Sequence, residues 1–431
     1  MTTLVRARLF HTPQSPRLEV YEDGGLAYEA GRILAAGDFE RVRAEYPGAE
    51  VVDRRDCLMV PGLVDAHVHY PQVPVIGAMG MRLLAWLRDR TLPEEERLAD
   101  PGYARAQART FLRQLGRNGT TTALVFGAHF MTAMQVFFEE AEASGLRLSA
   151  GLVVGDRNLT EALRTTPERA LKESRKLAQD WHGRGHLRYA VSPRFSLSCS
   201  EALLAACGEL LAENPELLFT SHLNESEDEI ATVAGLFPDS PNYLETYGRH
   251  GLVRRRSVFA HNVHPTAAEL ESLARAGASI CHCPSSNMFI GSGLFPLRRH
   301  LDQAVRVCLG TDVGGGTGFS LFKEGLMAYQ GQMLLADGVA LTPAHLLYLA
   351  TRSGAQALDL EDEIGDFSAG KAADYVLLRP PAGSTLEVVL QHSPSAEAAL
   401  AAVFTLAREE SVAEVVVAGR RVHPSLDSPD W

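Results

Sequence analysis

Eight short apolar runs rich in β-branched residues recur through the middle of the chain, near residues 58–66, 119–126, 148–155, 188–193, 217–223, 257–261, 278–283 and 305–311. Between most of them lie stretches with helical patterning. Residues 104–115 and 202–211 combine Ala and Leu with Arg or Glu, and residues 267–276 place Leu270 and Leu273 one turn apart. Strand then helix, eight times over roughly 250 residues, predicts an α/β protein built on a (β/α)8 TIM-like barrel. A doubly wound open sheet is the competing architecture. It is disfavoured because no Gly-rich dinucleotide fingerprint follows the first strand, and because candidate site residues end several different strands.

The flanks read differently. Residues 1–60 offer strand-like pieces split by turns such as Glu22-Asp23-Gly24-Gly25, and residues 361–431 include Asp374-Tyr-Val-Leu-Leu and Glu414-Val-Val-Val-Ala-Gly-Arg-Arg-Val. The expectation is one small β-sandwich domain assembled from both termini, around a catalytic barrel spanning 61–360. With 431 residues, 46% of them hydrophobic, the chain can bury a large core. A formal charge of −12 argues against a nucleic-acid partner, whose phosphates call for clustered Lys and Arg, and favours a small-molecule substrate. The six cysteines are scattered, without the framework of a small secreted domain. The start of the chain has no apolar segment of signal-peptide length, and no uncharged run is long enough to span a bilayer. A cytoplasmic protein with reduced thiols and no membrane partner is expected.

Barrel active sites form where strands end at the C-terminal face, and several motifs end such runs. The first run closes on Asp65-Ala-His-Val-His69. Alternate strand residues share a face, so His67 and His69 present two imidazoles toward one point. Phe219-Thr-Ser-His222-Leu-Asn-Glu225 closes the fifth run, Val258-Phe-Ala-His261 the sixth and Val307-Cys-Leu-Gly-Thr-Asp312 the eighth. Three imidazoles and a carboxylate form an N3O set suited to zinc, and also to iron or manganese. His261 is either a direct ligand or a group that holds a metal-activated water. The fourth run, Arg188-Tyr-Ala-Val-Ser-Pro-Arg-Phe, has no lysine that could be carboxylated to bridge two metals, which favours a single ion. Such an ion lowers the pKa of one water toward roughly 7, and a nearby carboxylate must then move protons. Glu225 is the candidate, although Glu227, Asp228 and Glu229 follow it and a solvated acidic run reads equally well.

Pro61-Gly-Leu-Val-Asp-Ala-His-Val-His-Tyr-Pro-Gln72, Ser192-Pro-Arg-Phe195, His222-Leu-Asn-Glu225, His282-Cys-Pro-Ser-Ser-Asn287 and Gly310-Thr-Asp-Val-Gly-Gly-Gly316 together resemble the amidohydrolase superfamily and, within it, the guanine deaminases. The His-x-His, His, His and Asp pattern is common to many amidohydrolases and specifies only metal-dependent hydrolysis or deamination. His-Tyr-Pro-Gln, Ser-Pro-Arg-Phe and Thr-Asp-Val-Gly-Gly-Gly are particular to the guanine branch. Ala66, where relatives often carry Thr, and Ser226 are small departures that touch no expected role.

The resemblance implies that His67, His69, His222 and Asp312 hold one zinc per chain, and that Asp312 also accepts a proton from the activated water. Glu225 would relay a proton to a ring nitrogen, and His261 would steady the attacking oxygen. Gln72 and Arg194 would hydrogen-bond the polar edge of a purine, and Phe195 would pack against its ring. Guanine would give xanthine and ammonia, and a homodimer is plausible on the same ground. Two alternatives stand beside this reading. One is deamination of another amino-heterocycle, such as 8-oxoguanine, a pterin, a triazine or an adenosine derivative; the other is a non-catalytic protein of the same fold, which would be expected to have lost ligands. Cys281-His-Cys283 lacks the spaced pairs of a structural metal site, and Gly314-Gly-Gly316 reads as a loop that must approach its neighbours closely, not as a phosphate cradle.

Overall fold

The computed structural model describes residues 1–424; residues 425–431, at the end of the C-terminal flank, lie outside the described residues. The flanks form one seven-stranded sheet. Its N-terminal strands are β1 (Thr3–Gln14), β2 (Arg17–Glu29), β3 (Arg32–Asp38) and β4 (Glu50–Pro61). The barrel follows with β5 (Leu63–His69), β6 (Thr120–Phe126), β7 (Arg147–Gly151), β8 (Val153–Val154), β9 (Leu187–Pro193), β10 (Leu218–Leu223), β11 (Ser257–His261), β12 (Ser279–His282) and β13 (Arg306–Leu309). The chain then returns to the terminal sheet through β14 (Tyr375–Leu378), β15 (Val412–Val417) and β16 (Arg420–His423), in the order β16-β15-β14-β4-β1-β2-β3.

The two layers expected of the small domain are parts of this single ladder. The sheet curls until β2 and β3 meet β14 and the segment leading into it: the Ile33 N–H donates to the Lys371 carbonyl, the Ala373 N–H donates to the Gly31 carbonyl, and Tyr28 packs on Tyr375 with ring centroids 6.3 Å apart. Val5, Leu9, Leu26, Met59, Tyr375 and Val416 share the apolar core inside the curl.

The barrel strands are parallel and follow the order β13-β12-β11-β10-β9-β7-β6-β5, with β8 paired to β9. Two boundaries differ from the sequence reading. The first apolar run is shared between two sheets, β4 before Gly62 and β5 after it, because a run apolar on both faces carries no mark of where a sheet ends. The third run is interrupted at Leu152. Helices Pro101–Arg117, Glu201–Glu213 and Ala267–Ala276 cover the helical stretches read from the sequence. The first starts on Asp100, whose side chain accepts from the Gly102 and Tyr103 N–H groups ahead of Pro101 at N1, and the third on a Thr266/Glu269 capping box. Small inward residues, among them Val64, Ala66, Ala190, Ala260 and Cys281, fill the barrel interior. No helix among the described residues is long and apolar enough to cross a membrane.

The circle closes at the C-terminal end. Asp312 N–H donates to the His67 carbonyl at 2.9 Å and His69 N–H to the Val313 carbonyl at 3.2 Å. Asp65 tightens this seam by accepting from Thr311 N–H at 3.0 Å and Thr311 Oγ1 at 2.5 Å. Gly310 is required here, since a Cβ at that position would lie 2.9 Å from the His67 backbone nitrogen and 2.5 Å from Cys281 Sγ. The seam therefore carries Asp312 to the side of the His-x-His pair.

Candidate metal and substrate site

Each strand that ends at this mouth delivers its chemistry within a few residues. His67 and His69 lie on β5, His222 on β10, His261 at the end of β11 and Asp312 three residues beyond β13. His69 Nε2 is 3.0 Å from His67 Nε2, 3.2 Å from His222 Nε2 and 3.2 Å from Asp312 Oδ1, while His67 Nε2 is 3.3 Å from the same oxygen. Ligand atoms bonded at about 2.0–2.2 Å to a tetrahedral ion stand about 3.3–3.6 Å apart, so the four atoms nearly outline that polyhedron. The backbone turns left-handed at Asn224, His261, Asn262 and Asp312, with φ between 47° and 72°, a region that bulky residues rarely adopt.

The protonation of these groups also suits a cation. His222 Nδ1 lies 2.6 Å from the Arg194 carbonyl, so that nitrogen carries the hydrogen and Nε2 turns its lone pair toward the cluster. Burial, with the neighbouring imidazoles, lowers the His222 pKa well below its usual value and brings His69 to about 4. The rings are neutral donors. Burial would raise the Asp312 carboxyl, but the His67 and His69 rings against it overcome that and hold it well below the ordinary range. A buried cluster of neutral imidazoles and an ionised carboxylate fits a divalent metal.

His261 sits farther out. One ligand atom each from His67, His222, His261 and Asp312 falls within 4.8 Å of the others, yet His261 Nε2 is 3.9 Å from Asp312 Oδ2 and 3.4 Å from Glu225 Oε2. Its Nδ1–H donates to Asn287 Oδ1 at 2.9 Å, which leaves the Nε2 lone pair between the two carboxylates.

Glu225 is 3% exposed and does not belong to a solvated run. Glu227 and Asp228 point outward, whereas Glu229 folds back with Ser226 in a capping box, its Oε2 accepting the Glu225 N–H at 2.9 Å and its Oε1 the Tyr243 hydroxyl at 2.6 Å. Burial, then the charges of Glu229 and Asp312, raise the Glu225 pKa well above the carboxylate range. Two carboxylates in one pocket are thus pushed apart, Asp312 ionised and Glu225 protonated, the division of labour that acid–base chemistry requires.

The cavity beside the cluster is lined by His69, Gln72, Arg194, Phe195, His222, Glu225, His261 and Asp312. The structure therefore brings together every site residue read from the sequence, with His67 beneath them. Sequence reading missed the apolar wall of Leu83, Trp86, Leu87 and Ile290. It also missed Glu95 and His129, which contact Arg194. For Leu83, Trp86, Leu87 and Glu95 the signal was the length of chain between β5 and the helix at Pro101, far beyond an ordinary βα connection; His129 and Ile290 lie outside it, after β6 and β12. Cys281 and Cys283 are buried free thiols, and burial pushes Cys283 up to about 12, so the Cys-His-Cys run is not a thiolate site. Gly314 does make the close approach expected of it, a Cβ there meeting the Gln72 carbonyl at 2.5 Å.

Residues 58–422 match the model of the Amidohydrolase family. The chain is 56% identical over 427 residues to a probable guanine deaminase of Deinococcus radiodurans, covering 96% of this chain and 97% of that protein. The solved structure of the Escherichia coli guanine deaminase superposes with a TM-score of 0.94 at 38% identity, covering 98% of this chain and 99% of that one. A Clostridium acetobutylicum guanine deaminase with guanine bound in its active site gives a TM-score of 0.92 at 26% identity, covering 98% and 100%.

Proposed function

The chain belongs to the amidohydrolase family, and from that premise we propose that it is a metal-dependent hydrolase that deaminates guanine to xanthine and ammonia. One observation carries this reading. A metal-fitting His and Asp cluster, its Asp312 held well below the ordinary carboxylate range, shares a buried pocket with Glu225, whose carboxyl is raised well above that range, and with the polar side chains Gln72 and Arg194.

We assign His67, His69, His222 and Asp312 to the metal, and infer one zinc per chain. When bound there, the ion would supply a Lewis acid that lowers the pKa of a water toward roughly 7. Asp312 Oδ1 faces His67 and His69, so its Oδ2, on the His261 side, is the oxygen free to take the water's proton. His261 Nε2, with Nδ1–H committed to Asn287, accepts a hydrogen bond from the attacking water and steadies its oxygen. Glu225 gives its proton to a ring nitrogen as the carbon bearing the amino group is attacked. The proton taken up by Asp312 then passes to the amino group, since an unprotonated amine is a poor leaving group, and ammonia leaves; the hydroxyl proton left on that carbon returns to Glu225 as the carbonyl forms. Gln72 and Arg194 hydrogen-bond the purine edge and Phe195 packs on its ring. All six cysteines are free, which supports a reducing, cytoplasmic setting.

A non-catalytic role is disfavoured because no ligand and no proton carrier is missing. Ammonia release from guanine and from a panel of amino-heterocycles, with xanthine followed by its absorbance and metal by elemental analysis, tests the proposal. Xanthine formation that tracks metal content is expected; ammonia from another heterocycle with guanine left untouched overturns the substrate assignment.

A further inference from the structure

Glu95 is a fully buried carboxylate that none of the steps above uses. It lies on the short helix Leu92–Glu96, within the long connection after β5, and is 3% exposed. Its two oxygens engage different partners. Oε1 accepts from Gln72 Nε2 at 2.9 Å and Oε2 from Arg194 Nη1 at 2.5 Å, and the buried His129 ring stands 3.3 Å from Oε2 and 3.2 Å from that same Nη1. Burial would raise the Glu95 carboxyl, but the Arg194 charge and the His129 contact hold it well below the ordinary range, so it is an anion.

We propose that Glu95 is a positioning residue for substrate recognition, one carboxylate that sets both side chains assigned to the purine edge. This rests on that assignment. An ionised carboxylate accepts hydrogen bonds and never donates them, so the Gln72 amide must turn its NH2 toward Glu95 and its oxygen away. That oxygen lies 3.3 Å from the Gly314 N–H, a weak contact that a ligand donor can share. The amide's Nε2 also stands 3.0 Å from His69 Nδ1, and of these two neighbours the charged carboxylate of Glu95 is the stronger in setting which end of a two-faced amide meets the substrate. On the guanidinium, both hydrogen bonds run through Nη1, which leaves Nη2 and Nε of a cavity-lining residue for a ligand. The same pairing neutralises a buried cation that would otherwise cost more than a neutral purine could return. Both arms are thus ordered before substrate arrives, which lowers the entropy lost on binding.

The test uses metal-loaded full-length enzyme and steady-state kinetics. Glu95→Gln keeps the shape, removes the charge and lets the Gln72 amide flip. KM should rise about tenfold or more, the worth of a charged hydrogen bond, with kcat falling less and metal content unchanged. In a Gln72→Ala background, which keeps Arg194, the KM rise caused by the same change should shrink to less than half, because part of its effect passes through that side chain. Should Glu95→Gln not fold, Glu95→Asp keeps the charge but is one methylene short of bridging both arms, and its KM should also rise. A wild-type KM in the folded variant, or an undiminished tenfold effect in the Gln72→Ala background, overturns the proposal. Wild-type turnover of guanine judges the substrate assignment separately. The KM ratio is measured on whichever panel heterocycle the wild type deaminates, so the two ideas fail by different results.

Discussion

His67, His69 and His222 stand on barrel strands and Asp312 is hydrogen-bonded to one through its backbone, whereas Gln72 stands on a 3-10 helix at Tyr70–Val75, Glu95 on a short helix and Arg194 on the turn after β9. The first group is held by the main-chain ladder and by the seam that ties Asp312 to His67. The second is held by side chains gripping one another across 23 and 99 residues of sequence. On the proposed assignment, metal binding inherits the rigidity of the barrel, and substrate choice depends on a removable ion pair. Breaking the first half should stop the chemistry; breaking the second should change what is bound and how tightly.

The largest effect belongs to the metal half. His69→Ala removes a donor that lies 3.0–3.2 Å from three others, so bound metal and turnover should both be lost. The far-ultraviolet circular dichroism should persist, because the ladder around the site is independent of the ion. An active His69→Ala enzyme, by ammonia release and elemental analysis, would place the ion elsewhere.

Next comes discrimination by the other half. Guanine carries a carbonyl and ring N–H groups that a Gln and an Arg satisfy together, while adenine puts an amino group where that carbonyl lies and strands buried donors. Sites built on such bonds reject the wrong base by about 10⁴-fold. Guanine should exceed adenine in kcat/KM by that order, and Arg194→Ala should lose guanine activity while keeping its metal. Equal kcat/KM for the two bases, or full activity in Arg194→Ala, breaks the comparison.

Glu225→Gln tests where the halves meet. The amide cannot carry a proton, so kcat should fall roughly 10²-fold or more with metal retained. Near-normal turnover would return Glu225 to a structural role.

The contrast also explains what the sequence could tell. Strand-borne chemistry leaves a periodic trace: apolar runs end at His69, Leu223 and His261, and two or three residues carry the chain on from a strand end to Glu225 or Asp312. Loop-borne chemistry leaves none. Glu95 sits in Pro93-Glu-Glu-Glu96, where three acids in a row read as a solvated face, and only the fold shows that Glu94 and Glu95 are buried while Glu96 is partly exposed. Leu83 and Trp86 carry no mark of a site either, because a cavity wall and a core have the same composition. The shared first run misled for a related reason: β4 and β5 are separated by Gly62 alone.

The smallest effect concerns how the metal half is propped from outside. Glu324, wholly buried on helix Leu321–Leu334, accepts the Ser285 N–H at 2.9 Å and so holds helix Pro284–Phe289, which carries the Asn287 that orients His261. Its other oxygen has no partner among the described residues. Burial raises its pKa from 4.5 to about 8, so the folded protein prefers the protonated form. The sign follows from linkage: the contribution is fully present below 4.5, where both states bind the proton, and it is lost as pH rises through about 8, where the folded state must bury a charge. Wild-type Tm should therefore fall between pH 6 and pH 9, and Glu324→Gln, which cannot ionise, should flatten that slope and lie a few degrees above wild type at the alkaline end. Metal content and the KM for guanine should be the same in both proteins at pH 7. Parallel Tm profiles for the two proteins would mean that the carboxyl finds solvent or a partner when it ionises, and that the support beneath His261 does not depend on its proton.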